Sequence, residues 1–458
     1  MVGDGSSASL DEALRLAELS GDERLRYLER NPSLRHPQVV VGYCRRAAGL
    51  LRMDLPLARR MVEAAGSVAK ALDDPVSSAR AERARAQLNH IEADYLAAQD
   101  GYSQAVKHYE RAGEDVQAAI TRSCALHVLA LLGRFDRATR WAERSRELFD
   151  RMGDRVRLAR LDANLAVVLH RRNEFEQALQ LSLRAFERLR AQGTSQDVAV
   201  TLRNMLVCHV GLRNCSLAMD VYERARSFSE RHRFPRLVLE ADYTIAHVHH
   251  LKGETDRAMS LYDEVRRGFQ DWGDPFHEAL CDLDQSECHL DAGETATAEQ
   301  LARRALGVFE RLGVAQESGR ALVHLAVLEA GEGRCDEGMA RLDRATELFR
   351  ASDDQEWLQI AEFYRALILE RDGRLEQAVE LSRSLTGACR KSDPVERRAL
   401  LGSLQTHLAL GAGGNREARE AASRAMLDLT ALGGLPRMPK PPWLRTEDTA
   451  EQRLAATG

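Results

Sequence analysis

The chain has 458 residues, 44% hydrophobic, 29% charged and only 5% aromatic, a balance that suits helices packed through Ala and Leu and excludes a sheet-built core. Its net charge of -5 removes the long-range attraction that nucleic acid or an anionic membrane surface would need in a main partner. Eight cysteines without a CxxC pair read as free thiols of a reducing cytoplasm, the N-terminus lacks the pattern of a secretion signal, and no run approaches the roughly 18 apolar residues that span a bilayer.

Residues 1–38 precede the regular part of the chain. Leu14, Leu25 and Leu28 on helical spacing over 10–29, stopped by Asn31-Pro32, predict a helix that caps the open N-terminal face. Residues 39–432 carry the repeats. Small-residue anchors at Ala58 and Ala105 place two hairpins, with Gly101-Tyr102 as the turn of the second, and their spacings of 47 and 33 to the next anchor mark them as irregular. From there the period is fixed. Ala138, Ala178, Ala218, Ala258, Ala298, Gly338, Ala378 and Ala418 stand forty apart, and five residues before each lies Gly133, Asn173, Arg213, Gly253, Gly293, Gly333, Gly373 or Gly413. A period of this length predicts a solenoid whose units bury their apolar faces only against their neighbours.

One unit shows why. Leu158, Leu161, Leu165, Val168 and Leu169 recur at helical spacing, Asn173 allows a left-handed turn, and Ala178, Leu181, Ala185 and Leu189 form the returning face. Ala178 is expected to face Ala166 where the two backbones come closest, which excludes a bulky residue. Leu126 and Leu206 depart from the small residue expected opposite an anchor. Residues 433–458, with Gly433-Gly434-Leu435-Pro436 and then Pro439, Pro441 and Pro442, read as a linker and disordered tail. The apolar end near Ala421, Met426 and Leu429 is then uncapped and open to self-association.

Repeated about ten times over 39–432, the helix pair with its small and aromatic positions, as in Ala105, Tyr109 and Ala112, resembles the tetratricopeptide repeat (TPR) family in a long, forty-residue form. The resemblance implies an all-α fold: a right-handed superhelical solenoid of about ten antiparallel helix pairs. The segments 240–246 and 281–287 and the recurring Gly-Asp unit ends are also similar to bacterial arrays that precede CHAT domains, which are caspase-like cysteine peptidases. That peptidase needs an α/β domain with a His and a Cys at strand ends, so no catalytic residue carries over to this chain.

The resemblance further implies a concave groove lined by the first helix of each hairpin, which takes an extended polypeptide. At spacings of four, three and four this stripe presents Arg160, Asn164 and Arg171, then Asn204, then His247, then Asp284, Glu287 and Asp291; residues offset by one add His170, Arg203, Tyr243 and His250. Asn side chains there suit a peptide backbone, and Arg suits a carboxylate. Charge runs in blocks, with nine acids and no Lys or Arg over 271–300, against 14 Arg and nine acids over 130–190.

His247, His249 and His250 invite a metal, but no thiolate pair or tetrahedral set converges, so none is expected. His209, His249 and His289 fall where other units have Leu129, Leu169 and Leu369, and read as packing residues with one nitrogen satisfied. Cys281 and Cys288 lack the base and oxyanion site of a nucleophile. The function expected is a cytoplasmic, non-enzymatic scaffold that binds a protein or peptide in its groove without a cofactor. Two alternatives stand: the sensor half of a caspase-like protease with that effector as partner, and a peptide-responsive regulator, for which residues 1–38 are too short to hold a helix-turn-helix.

Overall fold

The structure, a computed structural model, describes residues 15–388, 395–412 and 441–445. Ala418 and Gly413, the apolar end near Ala421, Met426 and Leu429, the predicted linker over 433–440 and the tail over 446–458 lie outside them. Among the described residues every regular element is helical. From Pro37–Leu50 with Leu55–Leu72 to Gln355–Arg371 with Leu375–Ala388, nine helix pairs follow one another, and Val395–Ala412 opens a tenth. This is the all-α, TPR-like solenoid fold that the period predicts.

The Gly-Asp unit ends act as a stop followed by a start. Gly153 takes φ 65°, and the carboxylate of Asp154 accepts the backbone N–H of Arg157 at 2.9 Å, capping the next helix. Asp94 after Ala93 and Asp354 after Asp353 cap their helices in the same way, accepting from the backbone N–H of Ala97 and Trp357, both at 3.1 Å. The anchors from Ala138 to Ala298, and Ala378, are fully buried. Ala166 and Ala178 share one core cluster. At Gly338 a Cβ would stand 2.8 Å from the Ala326 carbonyl oxygen, so in this hairpin even alanine is too large. Leu126 and Leu206 are fully buried too, so those hairpins admit a leucine without exposing it.

Three expectations for the N-terminal part are corrected. The period does not begin at Ala138, because Ala58 and Ala98 are fully buried anchors forty residues apart and in phase with it. Gly101-Tyr102 is not a turn; it lies inside Tyr95–Arg111, where Gly101 admits Ala86 so closely that an added Cβ would meet Ala86 Cβ at 3.0 Å. The turn is made by Ala93 at φ 62°, a conformation that glycine normally supplies and that composition therefore hides. The single helix predicted over 10–29 is also interrupted. A capping box between Ser20 and Glu23 restarts the chain as Gly21–Arg30, turning Leu28 inward and leaving Leu25 exposed.

The chain divides into two compact units, Met1–Thr244 with Asp271–Asp274, and Ile245–Gln270 with Pro275–Gly458. In the first, a core that runs from Leu16 to Ile91 has Trp272 packed against it. Its earliest hairpins therefore meet its latest residues. In the second, Phe309, Phe349, Phe363 and Tyr364 are among the largest side chains wholly inside.

Candidate functional site

In the N-terminal unit a line of imidazoles crosses successive hairpins. His90 ends Pro75–Ile91, His127 lies in Asp115–Leu131, and His170 ends Arg155–Arg171. The rings of His90 and His127 meet edge to face with centroids 4.7 Å apart. His127 is within electrostatic reach of His170, and Arg171 and Arg203 act on both. At the other end Arg52, in the turn after Pro37–Leu50, acts on His90 together with Arg236, Glu240 and Asp274. Groups from opposite ends of the unit thus share one half-buried face.

Burial, reinforced by these guanidinium groups, pushes His90 and His170 down to about 3 and His127 well below its usual value. All three are neutral at pH 7. Arg236 is held by Glu240 at 3.1 Å and Asp274 at 2.6 Å, and Arg203 by Glu240 at 3.0 Å. Arg52 Nε and His170 Nε2 are buried without a hydrogen-bond partner among the described residues. Unsatisfied buried polar atoms are uncommon and costly.

The C-terminal unit carries a different cluster. His250 Nδ1 lies 3.2 Å from Cys288 Sγ, and its Nε2 lies 3.6 Å from Glu287 and 3.9 Å from Asp291. Burial disfavours a charge on His250, but its hydrogen bonds to Cys288 and Glu287 and the Glu287 carboxylate outweigh this and raise it to about 11. Burial likewise pushes the Cys288 thiol up. The pair is therefore an imidazolium beside a thiol at neutral pH, the wrong protonation states for base and nucleophile. His247 is buried with its ring 6.4 Å from that of His250, and Arg320 pairs with Asp284 at 3.5 Å. Further along, Arg371 donates to the carbonyls of Ala330 and, at 2.7 Å, Gly331. Its guanidinium stacks 5.1 Å over the Trp443 ring, and Pro442 Cγ lies where a Cβ on Gly331 would meet it at 3.0 Å.

The predicted groove residues fall into separate groups. His170, Arg171 and Arg203 join the imidazole line, whereas His250, Glu287 and Asp291 form the second cluster. Tyr243 is half-buried in the N-terminal unit. Three others serve the fold. Arg160 makes a two-pronged pair with Asp197 at 3.0 and 2.8 Å; Asn164 donates to the Ser123 carbonyl at 3.0 Å and its hydroxyl at 3.1 Å; Asn204 donates to the Ala163 carbonyl at 2.9 Å. Of the leucine-position histidines, His249 and His289 each pair with a glutamate five residues on, Glu254 and Glu294, at 2.6 Å. His209 has Asn214 there instead, and its Nδ1 has no hydrogen-bond partner among the described residues.

Sequence reasoning passed over His90, His127, Arg52 and the Cys288–His250 contact. A signal existed for the imidazoles, since His90, His170 and His250 stand two periods apart. Arg52 sits in a turn with no pattern to mark it. Among the described residues no group of three or more His, Cys, Asp or Glu is placed to hold a metal ion, no helix is long and apolar enough to cross a membrane, and the seven cysteines are free.

No protein-family model matches the chain, and no curated protein matches it in sequence. Solved structures do resemble it. A Rap protein complexed with Competence and Sporulation Factor is 14% identical, with 76% of this chain and 97% of that chain covered and a TM-score of 0.56. A signal-transduction ATPase with numerous domains and a tetratricopeptide repeat sensor, from Pyrococcus horikoshii, is 12% identical over 78% of this chain and 54% of that chain, at a TM-score of 0.46. The Cut9–Hcn1 hetero-tetramer of APC/C gives 15%, 94%, 87% and 0.41 for the same four quantities. The first of these likenesses carries the fold, a helical repeat of TPR type, and nothing beyond it.

Proposed function

We propose that this protein is a non-enzymatic, cytoplasmic scaffold that binds a polypeptide along the inner face of its repeats, with residues 39–432 as the binding array and residues 1–38 as its cap. The observation that carries the reading is the imidazole line of His90, His127 and His170. It is a row of polar groups across three hairpins, with Arg52 and His170 each holding a buried nitrogen that has no hydrogen-bond partner among the described residues. Repeat arrays present such rows to extended ligands because each hairpin adds one increment of length. The groove assignment keeps His170, Arg171, Arg203, Tyr243, His247, His250, Glu287 and Asp291 as contact residues. Arg160, Asn164, Asn204 and Asp284 become supports of the wall.

A peptide-responsive regulator is the finer reading favoured by the Rap protein complexed with Competence and Sporulation Factor. An array that serves a caspase-like effector is a second finer form, in which the same face would report to that partner. The test is a peptide array probed with the purified chain. Wild type and Arg184→Glu, altered at an exposed position on a second helix, should retain the same subset of peptides, and Arg171→Glu should lose it with its helical spectrum unchanged. Equal loss in both variants, or retention of no peptide by wild type, would overturn the reading.

A further inference from the structure

Resting on the groove reading, we infer that Gly331 and Arg371 in the C-terminal unit form a recognition site for a polypeptide carrying a Pro-Trp pair, and that Pro441, Pro442 and Trp443 fill it as an internal competitor. The place of the site follows from register. Gly331 and Arg371 end Ala315–Gly331 and Gln355–Arg371, the first helices of consecutive hairpins, and they follow Asp291 by one and two periods of forty on the stripe assigned to a bound chain. Ile360, Tyr364 and Leu367, the earlier members of that stripe on the second of these helices, are fully buried, whereas Arg371 is exposed. The stripe opens at its last position, and the chain's own segment lies there.

The contacts are those of a ligand on a site that the repeats build without it. Arg371 donates to the carbonyls of Ala330 and Gly331, so the repeats orient its guanidinium, and the face of that group stacks on the Trp443 ring at 5.1 Å. Pro442 Cγ stands 3.0 Å from the position of a Cβ on Gly331, so a missing side chain makes the seat of a proline ring. Pro441 beside it is buried. A flat cationic face and a bare stretch of helix select a flat aromatic ring next to a proline. The prolines fix φ before docking and so lower the ordering cost of the bound segment.

The internal occupant is exchangeable because its own contacts are modest. One ring stack and one proline seat hold a free peptide weakly, but a segment joined to the array meets its site at an effective concentration on the order of millimolar. Covalent attachment therefore keeps the site filled. A partner polypeptide that also touches earlier members of the stripe adds contacts that residues 441–445 lack, and it displaces them by that margin. Selectivity for a Pro-Trp pair and restraint on binding thus come from the same two residues of the array.

Fluorescence anisotropy of the full chain with a labelled Lys-Pro-Pro-Trp-Leu-Arg peptide, the sequence of residues 440–445, tests this. Pro442→Ala combined with Trp443→Ala vacates the site, and this double variant should bind the peptide about tenfold more tightly than wild type does. A peptide with Ala in place of Trp should bind the double variant about tenfold more weakly, the worth of one cation–π stack. Gly331→Leu or Arg371→Gln, each added to the double variant, should abolish binding with an unchanged circular dichroism spectrum. On the peptide array the double variant should keep the wild-type subset and gain peptides that contain a Pro-Trp pair. Absence of hexapeptide binding to the double variant, equal binding to wild type, or equal binding of the two hexapeptides would overturn the inference. Should any of these occur while wild type retains array peptides that Arg171→Glu loses, the internal-competitor inference fails and the groove reading stands. Should the hexapeptides behave as expected while neither wild type nor double variant retains any array peptide, the groove reading fails and takes the competitor role with it.

Discussion

Asn204 donates its side-chain amide to the carbonyl of Ala163, 2.9 Å away and 41 residues earlier, and Asn164 does the same to Ser123 at 3.0 Å. One side chain per hairpin thus locks its helix to the backbone of the preceding hairpin. The asparagine chemistry that suits a bound peptide is used here on the chain's own backbone. Asn204 is buried and its Oδ1 also accepts from Arg203, so Asn204→Ala should leave polar groups unsatisfied and destabilise the chain by about 1–3 kcal/mol. Thermal melting checks this, with Arg184→Glu as the neutral comparison.

The fold was legible because close packing writes itself into composition. Wherever two helices touch through Ala and the chain turns at Gly, spacing alone reveals the unit. It failed at Ala93, where a non-glycine residue takes the left-handed turn, and at Gly101, where a glycine marks close approach instead of a turn. The site was half legible. Register placed His170, Arg171 and Arg203 on one face, but it could not tell that Arg160, Asn164 and Asn204 face a neighbouring repeat. Nor could it bring Arg52 to Glu240, a relation between residues far apart in sequence that no helical period encodes.

Overpacking at the anchors has a stated sign. Ala258 and Ala246, its counterpart twelve residues earlier, are both fully buried, so Ala258→Leu should destabilise the C-terminal unit by about 1–3 kcal/mol. Gly338→Ala should also destabilise, because the new Cβ would stand 2.8 Å from the Ala326 carbonyl oxygen. Chemical denaturation followed by circular dichroism reads both. An unchanged midpoint in either would contradict the close approach of those helices.

The two histidine clusters predict opposite responses to pH. In the N-terminal unit the folded-state values of His90 and His170 lie near 3, below the roughly 6.5 of an unfolded chain. The unfolded chain then binds more protons as pH falls from about 6.5 toward 3, and stability drops over that window. In the C-terminal unit His250 is raised to about 11. Its contribution is fully present below about 6.5 and is lost as pH rises toward 11, and the raised Cys288 thiol acts in the same alkaline direction. His170→Gln should flatten the acid limb of a stability profile and His250→Gln the alkaline limb, each measured as the difference from wild type.

Trp443 supplies the last prediction. Its ring lies under the Arg371 guanidinium at 5.1 Å, Pro441 is buried, and Pro442 lies over Gly331. The Pro442–Arg445 turn of helix therefore sits on the C-terminal ends of Ala315–Gly331 and Gln355–Arg371. A cation–π contact of this kind contributes about 0.5–2 kcal/mol, comparable to what holds a short terminal segment in place. Trp443→Ala removes the ring and leaves Arg371 bonded to the Ala330 and Gly331 carbonyls. Gly331→Leu keeps the ring but fills the space where Pro442 rests. Both should release residues 441–445, read as faster hydrogen exchange in that segment while the repeat helices keep their protection. If exchange at 441–445 stays at the wild-type rate in Gly331→Leu, the segment does not rest on Gly331.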